Sequence, residues 1–208
     1  MDYIFLDLDG PILDGRHRHY NCFRDIVVRG GGTPMDLVEY WELKRDRVSR
    51  KEMLRLSCYH ESYERFMEEW MDCIETKEYL QFDTLKPFIH QTLRKWRKHA
   101  SAILLVTMRN KRENLLWQLK RHNLANEFDE IINCNTNQGN GKIDALKNWQ
   151  FTRAVVVGDT EEDTKTARLL GVPAIAIING LRKREHLEAQ YFAEEIAEID
   201  LANIIATM

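Results

Sequence analysis

The sequence predicts an α/β protein, a doubly wound, Rossmann-like parallel sheet with an α-helical domain inserted near its start. Three observations carry this expectation. The apolar runs Tyr3–Leu8, Ala102–Thr107, Ala154–Gly158 and Ala174–Ile178 are short and nearly unbroken, the pattern of strands buried on both faces. The later runs alternate with helix-length amphipathic segments such as Glu113–His122 and Asp163–Leu170, which is how parallel strands are connected. Between the first run and the second lies a long interval with helical patterning and no convincing strand.

Taken in order, Tyr3–Leu8 opens the sheet and ends in Asp7-Leu8-Asp9-Gly10. Residues 15–85 read as helices with starts near Arg16, Pro34, Ser49 and Glu61, broken by Gly30-Gly31-Gly32. That loop reads as an interhelical turn, with a ligand-facing mouth as the alternative. Glu130–Asn133 is a weaker fifth strand. Asn110 with Glu113, and Thr160 with Asp163, each carry capping spacing just after a predicted strand. Both would place a helix amino terminus, with its free N–H groups, at the carboxyl end of a strand, where an anion is favoured. The domain division expected is 1–14 with 86–208 for the core and 15–85 for the helical insertion.

Composition narrows the function. A formal charge of −3 with 30% charged residues leaves no basic footprint for a nucleic-acid polymer. The mixed run from Lys44 to Arg55 reads as a solvated helix face because Glu42, Asp46 and Glu52 are interspersed. Cys22, Cys58, Cys73 and Cys134 show no zinc-ligand spacing and read as reduced packing residues. The seven histidines form no HxxxH or HExxH pattern, and the five tryptophans read as core or interface anchors. With no apolar run long enough to span a bilayer, a cytoplasmic protein is expected.

Chemistry concentrates where the strands end. Asp7 and Asp9, two residues apart, are expected on one side of the first strand, where two carboxylates repel unless a cation intervenes. Oxygen ligands suit magnesium. Asp-Gly-Pro turn chemistry would explain the same residues without function. The balance moves because the strand Ala154–Gly158 is followed by Asp159 and then Asp163, another strand ends in Thr107, and Lys142 supplies a cation between them.

These pieces together resemble the haloacid dehalogenase superfamily. DLDGPILD, Asp7 to Asp14, is similar to its first motif; Thr107, Lys142 and GDTEED, Gly158 to Asp163, follow in the order of its second, third and fourth. The insertion after the first motif resembles the family's helical cap of the first type, as in phosphoglycolate phosphatase-like members. The resemblance implies a Mg²⁺-dependent hydrolase of a small soluble phosphomonoester. Asp7 would be the nucleophile and Asp9 the acid/base. Thr107, Met108, Arg109 and Lys142 would contact the phosphoryl group, and Asp7, the Asp9 carbonyl, Asp159 and Asp163 would hold the metal. Lys142 is preferred to Lys147 because it opens a helix. Asp163 could equally be a capping residue, and Asp14 is expected to be structural. Pro11 in place of the commoner threonine stiffens the turn without removing a ligand. A phosphomutase or other phosphotransferase, or a non-catalytic binding protein, are the alternatives; a dehalogenase is disfavoured because it lacks the second aspartate. Substrate identity and oligomeric state stay open.

Overall fold

The computed structural model describes residues 1–134 and 141–207. The chain divides into two compact units, Met1–Leu13 with Leu85–Met208, and Asp14–Thr84. In chain order the first elements are β1 (Tyr3–Leu6), β2 (Leu13–Asp14), α1 (Arg16–Arg29), α2 (Leu37–Arg45), α3 (Arg50–Leu56), α4 (Tyr63–Cys73) and α5 (Lys77–Leu80). There follow β3 (Thr84–Leu85), α6 (Ile89–Trp96), β4 (Ala102–Thr107), α7 (Arg112–Arg121) and β5 (Glu130–Asn133). The last are α8 (Lys142–Leu146), β6 (Ala154–Gly158), α9 (Glu161–Leu170), β7 (Ala174–Ile177), β8 (Tyr191–Ala193) and α10 (Leu201–Thr207).

The α/β unit is built on one six-stranded sheet of order β5-β4-β1-β6-β7-β8, and every pairing in it is parallel. Side-chain alternation sorts the strands into two cores. Ile4, Leu6, Ile103, Leu105, Val155, Val157, Ile175 and Ile177 face one layer with Ile89, Leu93 and Trp96 of α6, Leu115 and Leu119 of α7, and Leu201 and Ile204 of α10. Phe5, Leu104, Val106, Ala154, Val156 and Ala174 face the other, with Leu146 of α8 and Ala167 of α9. Two apolar faces explain why these strands lack polar alternation. The chain runs outward from β1 through β4 to β5, then returns to β6 on the far side of β1 and runs outward again. β1 is therefore the topological switch point, beside which ligands gather at the carboxyl ends of such sheets.

Two predicted boundaries move. Strand β1 ends at Leu6 instead of Leu8: Asp7 N–H still donates to the Val157 carbonyl at 2.9 Å, but the chain then turns, with Ile12 and Leu13 N–H both donating to the Leu8 carbonyl. Helix α7 begins after Lys111, so its N-cap position falls one residue later than the Asn110 expected. Strand β8 was not expected; its three residues are only half-buried at the sheet edge and carry too short a pattern to register.

The helical unit packs its five helices around Phe23, Ile26, Tyr40, Phe66, Trp70 and Leu80. Helices α2, α3 and α4 start at side-chain caps: Asp36, Ser49 and Ser62 accept from the N–H groups of Glu39, Glu52 and Arg65. The Gly30–Gly32 loop closes α1. A β-carbon on Gly30 would lie 2.1 Å from the Tyr59 ring, so packing accounts for the glycine there. In the basic run Arg47, Lys51 and Arg55 are exposed as a solvated face requires, but Lys44 is buried, its ammonium 5.5 Å from the Trp70 ring centre, and Arg50 lies 4.7 Å over the same ring. All four cysteines are free; Cys22 and Cys134 are buried as expected, whereas Cys58 is exposed at φ 48°. No helix among the described residues is long and apolar enough to cross a membrane.

Candidate active site

Every side chain singled out in the sequence for chemistry, apart from Asp14, lies in the α/β unit, on or just past the carboxyl ends of β4, β1 and β6 or at the start of α8 or α9. Asp7 follows β1 directly, Thr107 closes β4, and Asp159 follows β6. Asp14 turns the chain into α1, accepting from the Arg16 N–H at 2.9 Å.

The centre is a group of three buried carboxylates. Asp7, Asp159 and Asp163 each bring an oxygen within 4.8 Å of the others. Lys142, 2% exposed, spans two of them: its ammonium lies 2.8 Å from Asp7 Oδ1 and 2.5 Å from Asp163 Oδ1. As the first residue of α8 it enters from the adjacent loop, while Lys147 is exposed and tied to Asp144 at 2.8 Å. Asp163 takes the capping role expected of it and also meets Lys142. Its Oδ2 accepts from the Thr160 N–H at 3.1 Å and hydroxyl at 2.6 Å, capping α9, and its Oδ1 faces Lys142.

Asp159 is held from behind. Its Oδ2 accepts from the Leu181 N–H at 2.5 Å, and its Oδ1 is buried with no hydrogen-bond partner among the described residues. Gly10 approaches from the other side. At φ +95° it occupies a left-handed conformation, and a β-carbon there would sit 1.9 Å from Asp159 Oδ2. The DxDG glycine is therefore fixed twice, by its backbone angle and by the carboxylate beside it.

Electrostatics follow from one ammonium among three acids. Burial, then the neighbouring Asp163 and Asp9 charges, outweigh Lys142 and push Asp7 up to about 7. Burial and the charges of Asp7 and Asp163 push Asp159 well above the ordinary carboxylate range. Burial works against the Lys142 charge, but Asp163 and Asp7 override it and hold the ammonium more firmly protonated than usual.

Asp9 is held by a different cation. Its two oxygens accept from Arg109 Nε at 2.6 Å and Nη2 at 2.7 Å, a bidentate fork, and Arg109 is only 4% exposed. Arg109 is braced in turn: its Nη2 donates to Gln118 Oε1 at 3.2 Å, and Asn133 donates to its carbonyl. The ladder stops at Leu6, so strand alternation no longer governs Asp9, yet Asp9 stays near enough for its charge to help raise Asp7. The register that pairs Leu6 with Leu105 carries the residues after Thr107 alongside those after Leu8, which brings Arg109 to Asp9. The anion beside Arg109 in this structure is thus a carboxylate of the chain itself. Thr107 is buried at the end of β4 and Met108 half-buried beside it. Residues not anticipated are Glu162, which accepts from the Lys142 N–H at 3.2 Å, and Gln118 and Asn133 behind Arg109. Only the Glu162 position, inside GDTEED, carried any sequence signal.

Residues 3–177 match the family model described as haloacid dehalogenase-like hydrolase. The chain belongs to that family. No curated protein matches the sequence. Among solved structures, this haloacid dehalogenase-like hydrolase is similar to a predicted phosphatase from Clostridium acetobutylicum, with TM-score 0.76 and 18% identity over 100% of this chain and 99% of that one. It is similar to a candidate β-phosphoglucomutase from Thermotoga maritima, with TM-score 0.69, 18% identity and 100% of both chains covered. A candidate family hydrolase from Bacillus subtilis, solved bound to magnesium, aligns with TM-score 0.65 and 14% identity over 99% of this chain and 98% of that one. At these identities the likeness is one of fold.

Proposed function

We propose that this hydrolase is a Mg²⁺-dependent phosphomonoester hydrolase acting on a small soluble phosphorylated metabolite through an aspartyl-phosphate on Asp7. The observation that carries the reading is the charge imbalance at the strand ends: three buried carboxylates face one ammonium. Fully ionised, the group holds two uncompensated negative charges in a site with little water, a costly arrangement without a divalent cation. The residues fit such an ion. The donors are all oxygens, as magnesium prefers, and the buried Asp159 Oδ1 has room for a ligand bond and no hydrogen bond to lose. Asp7, Asp159 and Asp163 would hold the ion with their carboxylates and Asp9 with its main-chain carbonyl. When bound, the cation would neutralise phosphoryl charge and keep Asp7 ionised.

The remaining steps belong to the chain. Asp7 attacks phosphorus as the bond to the leaving oxygen breaks, and water then opens the acyl phosphate to return the carboxylate and release phosphate. Lys142, fixed between Asp7 and Asp163, stays charged and draws the phosphoryl oxygens toward the nucleophile. Thr107 supplies a hydroxyl from the next strand. Asp9 gives a proton to the leaving oxygen and takes one from the water, which requires it to leave at least one arm of the Arg109 fork. The helical unit, by its place after the nucleophile strand, takes the cap role and reads the leaving group. The reading carries with it a cytoplasmic location.

Phosphate release from a panel of small phosphomonoesters, with and without Mg²⁺, tests the proposal. Turnover that needs the metal supports it. Turnover appearing only when a second hydroxyl compound is supplied as acceptor would favour phosphotransfer, and none under either condition would overturn catalysis.

A further inference from the structure

A second, partly buried charge network lies behind Asp159. Lys86, 5% exposed at its side chain, donates to the Asn179 carbonyl at 3.1 Å and lies 3.1 Å from Glu195 Oε2. Asn179 Nδ2 donates to Glu195 Oε1 at 2.8 Å, so the side chain and the carbonyl of Asn179 are both held from the same pair. The two residues that follow are those that touch Asp159. A β-carbon on Gly180 would lie 2.2 Å from Asp159 Oδ2, and the Leu181 N–H donates to that same oxygen at 2.5 Å. Lys86 is itself anchored, its N–H donating to the Ile12 carbonyl at 2.9 Å.

We infer that Lys86, with Glu195 and Asn179, is a positioning device for Asp159. It pins the turn after β7 so that Leu181 N–H holds one carboxylate oxygen and leaves the other presented to the cation. The inference rests on the magnesium reading of the site. A turn fixed only by its own hydrogen bonds would let Asp159 rotate, and the ligand oxygen would be ordered only on binding. Partners behind a ligand commonly govern metal affinity by about 10–100-fold.

Charge gives the discriminating test, because removing Lys86 deletes a positive charge. If it acted only by Coulomb repulsion, Lys86→Met would tighten Mg²⁺ binding; if it positions Asp159, the same change weakens it. Calorimetric titration of Mg²⁺ into the intact protein should show about tenfold weaker binding for Lys86→Met, largely restored in Lys86→Arg. Asn179→Ala changes no charge and should weaken binding by a smaller factor while metal-free Tm stays near that of wild type. That uncharged variant decides the matter if Lys86→Met fails to fold. Unchanged or tighter binding in Lys86→Met, or unchanged binding in Asn179→Ala, would overturn the inference. Wild-type protein that binds no Mg²⁺ would instead overturn the magnesium reading, and this inference with it.

Discussion

Two buried charge groups, one in each unit, are balanced in opposite ways. In the helical unit Arg18 and Asp83, 3% and 0% exposed, meet at 2.8 Å, and each charge has an opposite one beside it. In the α/β unit Lys142 is shared by Asp7 and Asp163 while Asp159 faces both acids. A matched buried pair holds a fold in one arrangement, and its loss is felt as stability. An unmatched group is a liability to the fold and persists where something else is meant to complete it. The difference separates this scaffold pair from this cluster more sharply than burial does, since both are withdrawn from water.

The contrast can be broken by substitution. The largest effect is expected at Asp7: Asp7→Asn should reduce phosphate release to the blank rate while the far-UV spectrum and Tm stay at or above those of wild type, because a buried charge has been removed. Asp9→Asn should cost about 10²–10⁴-fold on unactivated esters and far less on esters with good leaving groups; equal losses on both would remove Asp9 from proton transfer. In the helical unit, Asp83→Asn leaves Arg18 buried beside a neutral amide and should destabilise the protein by about 3–5 kcal/mol in denaturant unfolding. A loss below about 1 kcal/mol there would show that the pair is not the matched scaffold described.

Acidity sharpens the same comparison with a smaller effect. Asp7, raised from the ordinary 3.8 to about 7, and Asp159, raised likewise, bind protons more tightly folded than unfolded. The Asp7 contribution to stability is therefore fully present below pH 3.8 and is lost as pH rises through about 7, and the Asp159 contribution falls in the same direction. Metal-free protein should lose stability across that window, Mg²⁺ should restore it most at the upper end, and Asp159→Asn should flatten the profile. Thermal unfolding at several pH values with and without Mg²⁺ checks this; a stabilisation by Mg²⁺ independent of pH would contradict it.

How far the sequence discloses these features depends on the range of the interaction behind them. The parallel strands are legible because burial on both faces leaves runs such as Val155–Val157 with no polar residue. The helix starts at Ser49 and Ser62 are legible because capping is local. Strand β8 is not, since an edge strand of three half-buried residues owes its pairing to β7 and not to its own pattern. Asp7, Asp159, Asp163 and Lys142 are visible because each sits at the end of an element that can be read. The Arg109 fork on Asp9 is hidden, because it depends on where β1 stops and on its register with β4. Lys86, Asn179 and Glu195 were invisible for the same reason: residues 86 and 195 meet only in the folded chain.

The most direct test of the unmatched cluster as a phosphoryl-transfer site is to quench Asp9→Asn protein in acid during turnover, with Mg²⁺ and a substrate bearing a good leaving group, and to weigh its peptides. A mass gain of one phosphoryl group on the peptide carrying Asp7, absent without Mg²⁺ and in the Asp7→Asn, Asp9→Asn double variant, is the predicted result. Turnover with no label on that peptide, or a label that persists when Asp7 is replaced, would contradict the account.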